Sequence, residues 1–320
     1  MKFSVCVPAS RPDTLAATIR SIQRQTYRDW ELIIVGQGDD ATIRAVTEAF
    51  AGEDRRIRFL HTHRLGASAA RNAGMAAGDG EVFAFTDDDC EAREDWLEAI
   101  AEKFEAHPDA GLVGGAVVAP PKRRRGPSIC PAVYPVEAMY DPVAMRRRPP
   151  AGWDWIGANH AFRRAVAELV GGYDEHLGPG ATFAVAEDTD LKLRLESLGI
   201  KMLSTPDAVV RHTYGHRYGI GPRLRFSKNY ARGNGGLAGK LTLAGDPRGE
   251  EWVRLHRREI GLVAKRPYLV ASKVLRVRNF MEAYRQCLRE FRVEGGLLVR
   301  RALPERAVVA QSREGSPSRP

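Results

Sequence analysis

The chain has 320 residues, 43% of them hydrophobic and 28% charged, with a net charge of +9; it has room for one large or two modest domains with a proper core. No run approaches the ~18 apolar residues of a membrane span. The N-terminus carries no long apolar segment, and Cys6, Cys90, Cys130 and Cys287 are scattered without metal-ligand spacing, which argues against secretion, disulfides and a zinc site and leads us to expect a cytoplasmic protein.

Phe3 to Val7 reads as a buried strand ended by Pro8, followed by a helix with Leu15, Ile19 and Ile22 at helical spacing and a cap at Asp13. Glu31–Val35 and Ile57–His61 read as further strands around a helix at Ile43–Phe50. This alternation predicts an α/β fold with a mostly parallel, doubly wound sheet. Between the third and fourth strands, RLGASAARNAGMAAGDGE offers a helix rich in small residues, whose backbone N–H groups and Arg71 suit a diphosphate, with a surface or structural ion pair as the other reading of Arg71. The fourth strand, Val82 to Phe85, runs into Asp87, Asp88 and Asp89. Three adjacent carboxylates need a counter-charge, and Mn2+ or Mg2+ is the simplest. A solvated acidic turn is the alternative reading.

A helix to about Glu105 and a strand near Gly111–Val118 come next. Pro120 to Pro150, with KRRR at 122–125 and RRR at 146–148, reads as a long excursion, either a solvated loop or a flap over the active site. Trp153, Asp154 and Trp155, leading to Asn159, are assigned to the acceptor as a sugar-stacking wall with a hydrogen-bonding group, with core packing as the other reading. A helix is expected at Phe162–Leu169, and two short strands at Lys201–Leu203 and Ala208–Arg211. From Arg211 onward 24 Lys and Arg face 9 Asp and Glu, so that part is +15 and the rest −6. Such a basic third suits an anionic partner, or is simply a solvated helical surface.

Several pieces in this order make the chain resemble a family 2 glycosyltransferase of the GT-A fold, in the nucleotide-diphospho-sugar transferase superfamily. They are SVCVPAS, SIQRQTYRDWELIIV, LGASAARNAGMAAGDGEVFAFTDDD and DWLEAI, then the G-x-N, GGYDE and EDTDL stretches within 157–191, covering about residues 3 to 213. The resemblance implies inverting transfer of a sugar from a nucleotide-diphospho-sugar donor to a hydroxyl on a glycan or lipid-linked acceptor. It gives Asp89 the metal, with Asp87 and Asp88 in the metal shell or at the ribose. Pro8, Ala9, Ser10 and Arg11 fall beside the nucleotide. Family members usually carry an acidic pair after the second strand to contact the base; here Gly36, Gln37 and Gly38 precede Asp39, so Gln37 or Asp39 takes that place. Asp188 falls at the general base and Glu187 beside it, where capping of a helix is the alternative. His212, or else His216, falls on the cation.

The expected organisation is a nucleotide-sugar-binding half at 1–115, an acceptor-binding half at 116–215, a helical basic region at 216–304 and a disordered tail at 305–320. The basic region reads as a helical cap or as a peripheral contact with an anionic membrane. Two rival functions are open to test. A sugar-nucleotide nucleotidyltransferase predicts a glycine-rich, lysine-containing loop after the first strand, which is absent. A noncatalytic module for anionic lipid or nucleic acid predicts binding that survives loss of the acidic sites; no nucleic-acid motif is present, so nucleic acid is not expected.

Overall fold

The computed structural model describes residues 1–120, 133, 135–214, 219–261 and 270–301. The KRRR run at 122–125, His216 and the tail from 305 lie outside the described residues.

Strands β1 (Phe3–Ala9), β2 (Trp30–Gln37), β3 (Ile57–Thr62) and β4 (Val82–Phe85) pair in parallel in the order β3-β2-β1-β4. Their residues alternate between two cores, as a strand's period of two demands. Val5, Val7, Leu32, Ile34, Val82 and Ala84 meet Leu15, Ile19 and Ile22 of α1 (Pro12–Gln23) and Trp96 and Leu97 of α4 (Trp96–Ala106). Cys6, Ile33, Val35, Phe83 and Phe85 meet Ala70 and Met75 of α3 (Ala67–Ala77) on the other face. Full burial of each such Leu or Ile contributes about 1.5–3 kcal/mol. Helix α2 (Ala41–Glu53) connects β2 to β3.

Several boundaries differ from expectation for physical reasons. β1 runs through Pro8 to Ala9, because its pairing with β4 stops at Cys6 and only β2 continues beside Pro8. α1 starts on Pro12 at its first turn, without a side-chain cap from Asp13; proline is pre-organised for that position. The helix expected from Phe162 starts later: His160–Arg163 is strand β8, and the helix after it is α5 (Arg164–Val170). The two expected strands after residue 200 are one, β9 (Lys201–His212), whose pairing with β6 (Ala110–Val118) absorbs a register shift between Gly114 and Ala116.

With β5 (Cys90–Ala92) and β7 (Ala138–Tyr140), the sheet has nine strands among the described residues. Its main path is β3-β2-β1-β4-β8-β6-β9-β5, with β7 also on β9. β8 is antiparallel to both β4 and β6, so the parallel run reverses beside the acidic triplet. In open α/β sheets ligands bind at such a switch, outside the strands' C-terminal ends.

Beyond β9, α7 (Ile220–Leu243), α8 (Pro247–Gly261) and α9 (Val270–Glu290) pack on one another, followed by a hairpin of β10 (Phe291–Glu294) and β11 (Leu297–Arg300). The hairpin corrects the all-helical expectation, since Gly295 and Gly296 form its turn at φ 55° and 78°. This unit shares a core with the segment before α6 (Glu187–Ser197): Leu237, Cys287 and Phe291 pack with Leu177, Phe183 and Ala186. Among the described residues, no helix is long and apolar enough to cross a membrane.

Candidate active site

A cleft of about 580 Å³ opens at the C-terminal ends of β1, β2 and β4. Pro8, Ala9, Ser10, Arg11, Gln37, Arg71, Asp87, Asp88, Asp89, Glu187, Asp188 and His212 all line it. The fold thus gathers residues from nearly the whole length of the sheet region into one space.

The three aspartates have separate partners. Asp88 is buried and saturated: Ser10 N and Arg11 N donate to its Oδ2 at 2.5 and 2.7 Å, and Arg11 Nη1 donates to its Oδ1 at 2.9 Å. It therefore holds the loop after β1. Asp87 accepts a hydrogen bond from Arg71 Nη2 at 2.9 Å. Asp89 lies 3.0 Å from Arg11 Nη1 and 3.8 Å from His212 Nε2. Burial pushes the Asp89 carboxyl above its ordinary pKa, against the pull of His212 and Arg11.

Oxygen, nitrogen and sulfur atoms of Asp87, Asp89, Cys90 and His212 lie within 4.8 Å of one another. Pairing of Cys90 with His212 between β5 and β9 brings the histidine to the triplet. His212 Nδ1 is buried without a hydrogen-bond partner. Two carboxylates and an imidazole suit a hard or borderline divalent cation. Burial raises the Cys90 thiol pKa, which keeps the sulfur protonated and a poor ligand for such an ion.

Arg71 lines the cleft and forms ion pairs there. Its guanidinium is buried and bridges Asp87 to Glu187, whose Oε1 lies 3.3 Å from Nη1. It neutralises carboxylates of both halves of the cleft instead of presenting a free fork to a diphosphate. Glu187 and Asp188 open α6, after Ala186 in a left-handed conformation with φ 81°. Burial, and next the charge of Asp188, raise the Glu187 pKa to about 7, while Arg71 opposes the shift. Asp188 accepts from Gly157 N at 3.2 Å and from Thr189 N at 2.7 Å.

The expected acceptor wall sits elsewhere. Trp155 is fully buried and Trp153 is 7% exposed; both belong to the core behind α6, and Trp153 Nε1 donates to Met202 O. Asn159 is saturated by Trp96 Nε1 and by the carbonyls of Ala116 and Ala208. Asp154 is half exposed and paired with Lys192. None of these four lines the cleft. Nor does Asp39, which is exposed on the turn after β2, while its neighbour Asp40 is bound to His61 Nδ1 at 2.7 Å. Gln37 does line it, with Oε1 accepting from Gly66 N at 2.5 Å. Tyr214 and Tyr230 were not foreseen as cleft residues. Tyr230 lies in α7, where the basic run RLRFSKNYARGNGG obscures its role.

The model of the family described as glycosyl transferase family 2 matches residues 4–171. A glucosyl-dolichyl phosphate glucuronosyltransferase of Haloferax volcanii is 31% identical over 217 residues, 66% of this chain and 69% of that protein. A pre-mycofactocin glycosyltransferase of Mycobacterium tuberculosis is 29% identical over 199 residues, but this chain covers only 38% of its length. Among solved structures, the mannosyltransferase PcManGT of Pyrobaculum calidifontis, in complex with GDP-Man and Mn2+, aligns over 90% of this chain and 86% of its own with a TM-score of 0.55 and 17% identity. S. aureus TarS aligns over 72% of this chain and 39% of its own, with a TM-score of 0.51 and 14% identity. These likenesses show the GT-A fold.

Proposed function

The chain belongs to glycosyl transferase family 2 and is a glycosyltransferase that moves a sugar from a nucleotide sugar, and from that premise we propose an inverting, metal-dependent transfer to a hydroxyl acceptor. The observation that carries this reading is the meeting, in one cleft, of the Asp87–Asp89–His212 group and the Glu187–Asp188 pair, joined through Arg71.

In this reading Asp87, Asp89 and His212 hold Mn2+ or Mg2+. A cation held by them would neutralise charge on the departing nucleoside diphosphate. Asp188 accepts the proton of the acceptor hydroxyl as its oxygen attacks the anomeric carbon; the bond to the diphosphate breaks from the opposite face, and the nucleotide leaves with the electron pair. Arg71 keeps Glu187 and Asp87 in place from beneath. Asp88 shapes the Ser10–Arg11 loop that borders the nucleotide, and Gln37, its oxygen occupied by Gly66, offers its amide N–H groups to the base. A second assignment of the base, to Glu187, is favoured by its pKa of about 7, close to that of an efficient base at neutral pH.

The Haloferax relative's name supports a lipid-linked acceptor, and PcManGT supports Mn2+. Exposed Arg254, Arg257, Arg258 and Arg278 beside exposed Leu255, Val274 and Leu275 support peripheral contact with an anionic membrane at its cytoplasmic face. The first test is a thermal-shift panel of UDP-glucuronate, UDP-glucose, GDP-mannose and a dTDP-sugar, each with Mn2+ or chelator. One donor should raise Tm in a metal-dependent way. Equal shifts with and without chelator would remove the metal from the mechanism.

A further inference from the structure

Helix α7 lies outside the residues matched by the family model, yet it grips the segment that carries Glu187 and Asp188 in two independent ways. The first is a buried ion network. Lys240 Nζ on α7 lies 2.5 Å from Asp190 Oδ1 and 2.8 Å from Asp174 Oδ2, and the three side chains are 4%, 2% and 0% exposed. Asp190 sits in the first turn of α6; its other oxygen accepts from Arg194 Nε at 2.8 Å. Asp174 also accepts from Leu298 N of β11 at 2.8 Å, so the hairpin is tied into the same knot. An ammonium this desolvated is held only by close carboxylates, and its removal leaves a buried charge uncompensated.

The second is close packing without side chains. A Cβ on Gly233 would stand 2.1 Å from Val185 Cγ2, and one on Gly236 would stand 2.3 Å from Phe183 Cγ. Two further glycines face the other way: Gly235 and Gly239 meet Phe280 O and Cys287 Cβ of α9 at 2.2 and 2.6 Å by the same measure. Helix α7 is thus wedged between α9 and residues 183–185. Between those residues and Glu187 comes Ala186, whose left-handed backbone persists only where its surroundings impose it. Phe183 packing on Phe291, with ring centroids 5.7 Å apart, and the Lys240–Asp190 contact supply those surroundings on either side.

We propose that Lys240 is a positioning residue for sugar transfer: by holding Asp190 against α7 it sets the direction in which the N-terminus of α6 presents Glu187 and Asp188 to the cleft. The inference rests on the reading of that acidic pair as the reacting pair. It makes the C-terminal unit a working part of the transferase centre. The donor side of the cleft, built on β1, β2 and β4, is held independently of Lys240.

The test uses the full chain with Lys240→Met/Asp174→Asn, which removes one charge of each sign and leaves an oxygen for Leu298 N, and with Lys240→Arg. Asp190→Asn is the milder variant should the double change fail to fold. Two measurements are made. Hydrogen exchange of residues 178–190 needs no substrate; it should quicken at least about 10-fold in the double variant, with β1, β2 and β4 unchanged, and recover in Lys240→Arg. With the donor found by the Tm panel, kcat should fall on the order of 10²-fold, the scale of a misaligned reacting group, while donor KM stays within about twofold. Unchanged exchange at 178–190, or a parallel loss in kcat and donor binding, overturns the proposal. Altered exchange at 178–190 with kcat unchanged leaves the packing intact as an observation but overturns the role in transfer. A protein that shows the exchange effect yet binds no sugar nucleotide refutes the acidic pair's assigned chemistry, separately from the anchoring.

Discussion

Asp89 and Asp88 are neighbours of equal chemistry with opposite situations, and the difference decides what each substitution does. Asp88 has its oxygens filled by the loop after β1, whereas Asp89 faces His212 and Arg11. Asp89→Ala should abolish the Mn2+-dependent part of the donor-induced Tm rise while the protein remains folded; an unchanged rise would take Asp89 out of the cation site. Asp188→Asn should preserve donor binding and lower kcat by about 10²-fold or more, the usual range for a lost general base. If Glu187→Gln produces that loss instead, and Asp188→Asn does not, the base is Glu187. Glu187 also predicts a pH dependence of stability. Its folded pKa of about 7 lies above the ordinary 4.5, so the folded chain binds more protons across that interval and its stability falls as pH rises from about 4.5 to about 7. Relative to the parent, Glu187→Gln should therefore gain more Tm at pH 8 than at pH 5.

At this scale the place of the acidic triplet at the cleft was legible because it follows directly on a strand's C-terminal end. The tryptophans and Asn159 were not. Residue type reports what a side chain can do, and exposure decides whether it does so; Trp155 is buried because Gly114, with Trp155 Cβ 2.3 Å from where its own Cβ would be, lets the indole enter the core. Arg71 had two readings for the same reason, since a guanidinium suited to phosphate is equally suited to two carboxylates.

At the scale of elements, continuous apolar runs identified β1, β2 and β4 well, because strands covered on both faces need no polar alternation. β8 was missed because four residues, His160–Arg163, run directly into α5 and carry no punctuation between strand and helix. β9 looked like two strands because Pro206 interrupts its pattern, although the strand continues through it. The glycines of α7 permit a helix to approach its neighbours closely, a role that their place in a basic, Gly-rich run does not reveal. Gly233→Ala should cost about 1–3 kcal/mol through overpacking against Val185. A Tm within 1 °C of the parent, with unchanged turnover, would show that the contact yields freely.

At the scale of the molecule, a negative sheet region and a positive C-terminal unit were visible in composition, but composition does not reveal which cations are already paired. Lys240 is consumed inside the fold and Arg232 is paired with Glu282, while Arg254, Arg257 and Arg258 are exposed on α8. Flotation with vesicles containing phosphatidylglycerol should recover the protein at low salt and lose it in 0.5 M NaCl, and an Arg254→Glu/Arg257→Glu/Arg258→Glu variant should stay unbound. Equal flotation of that variant would move the contact off α8.

The pairing of Cys90 with His212 carries a consequence for biosynthesis. The acidic triplet leaves the ribosome long before β9 does, and the Glu187–Asp188 pair, its histidine partner and Lys240 follow in that order. Closing so long a loop is slow, and until then the triplet stands beside an incomplete sheet. A nascent or truncated chain ending before β9 would carry the most recognisable motif of the protein without a competent centre. Turnover should therefore appear only after release of nearly the whole chain.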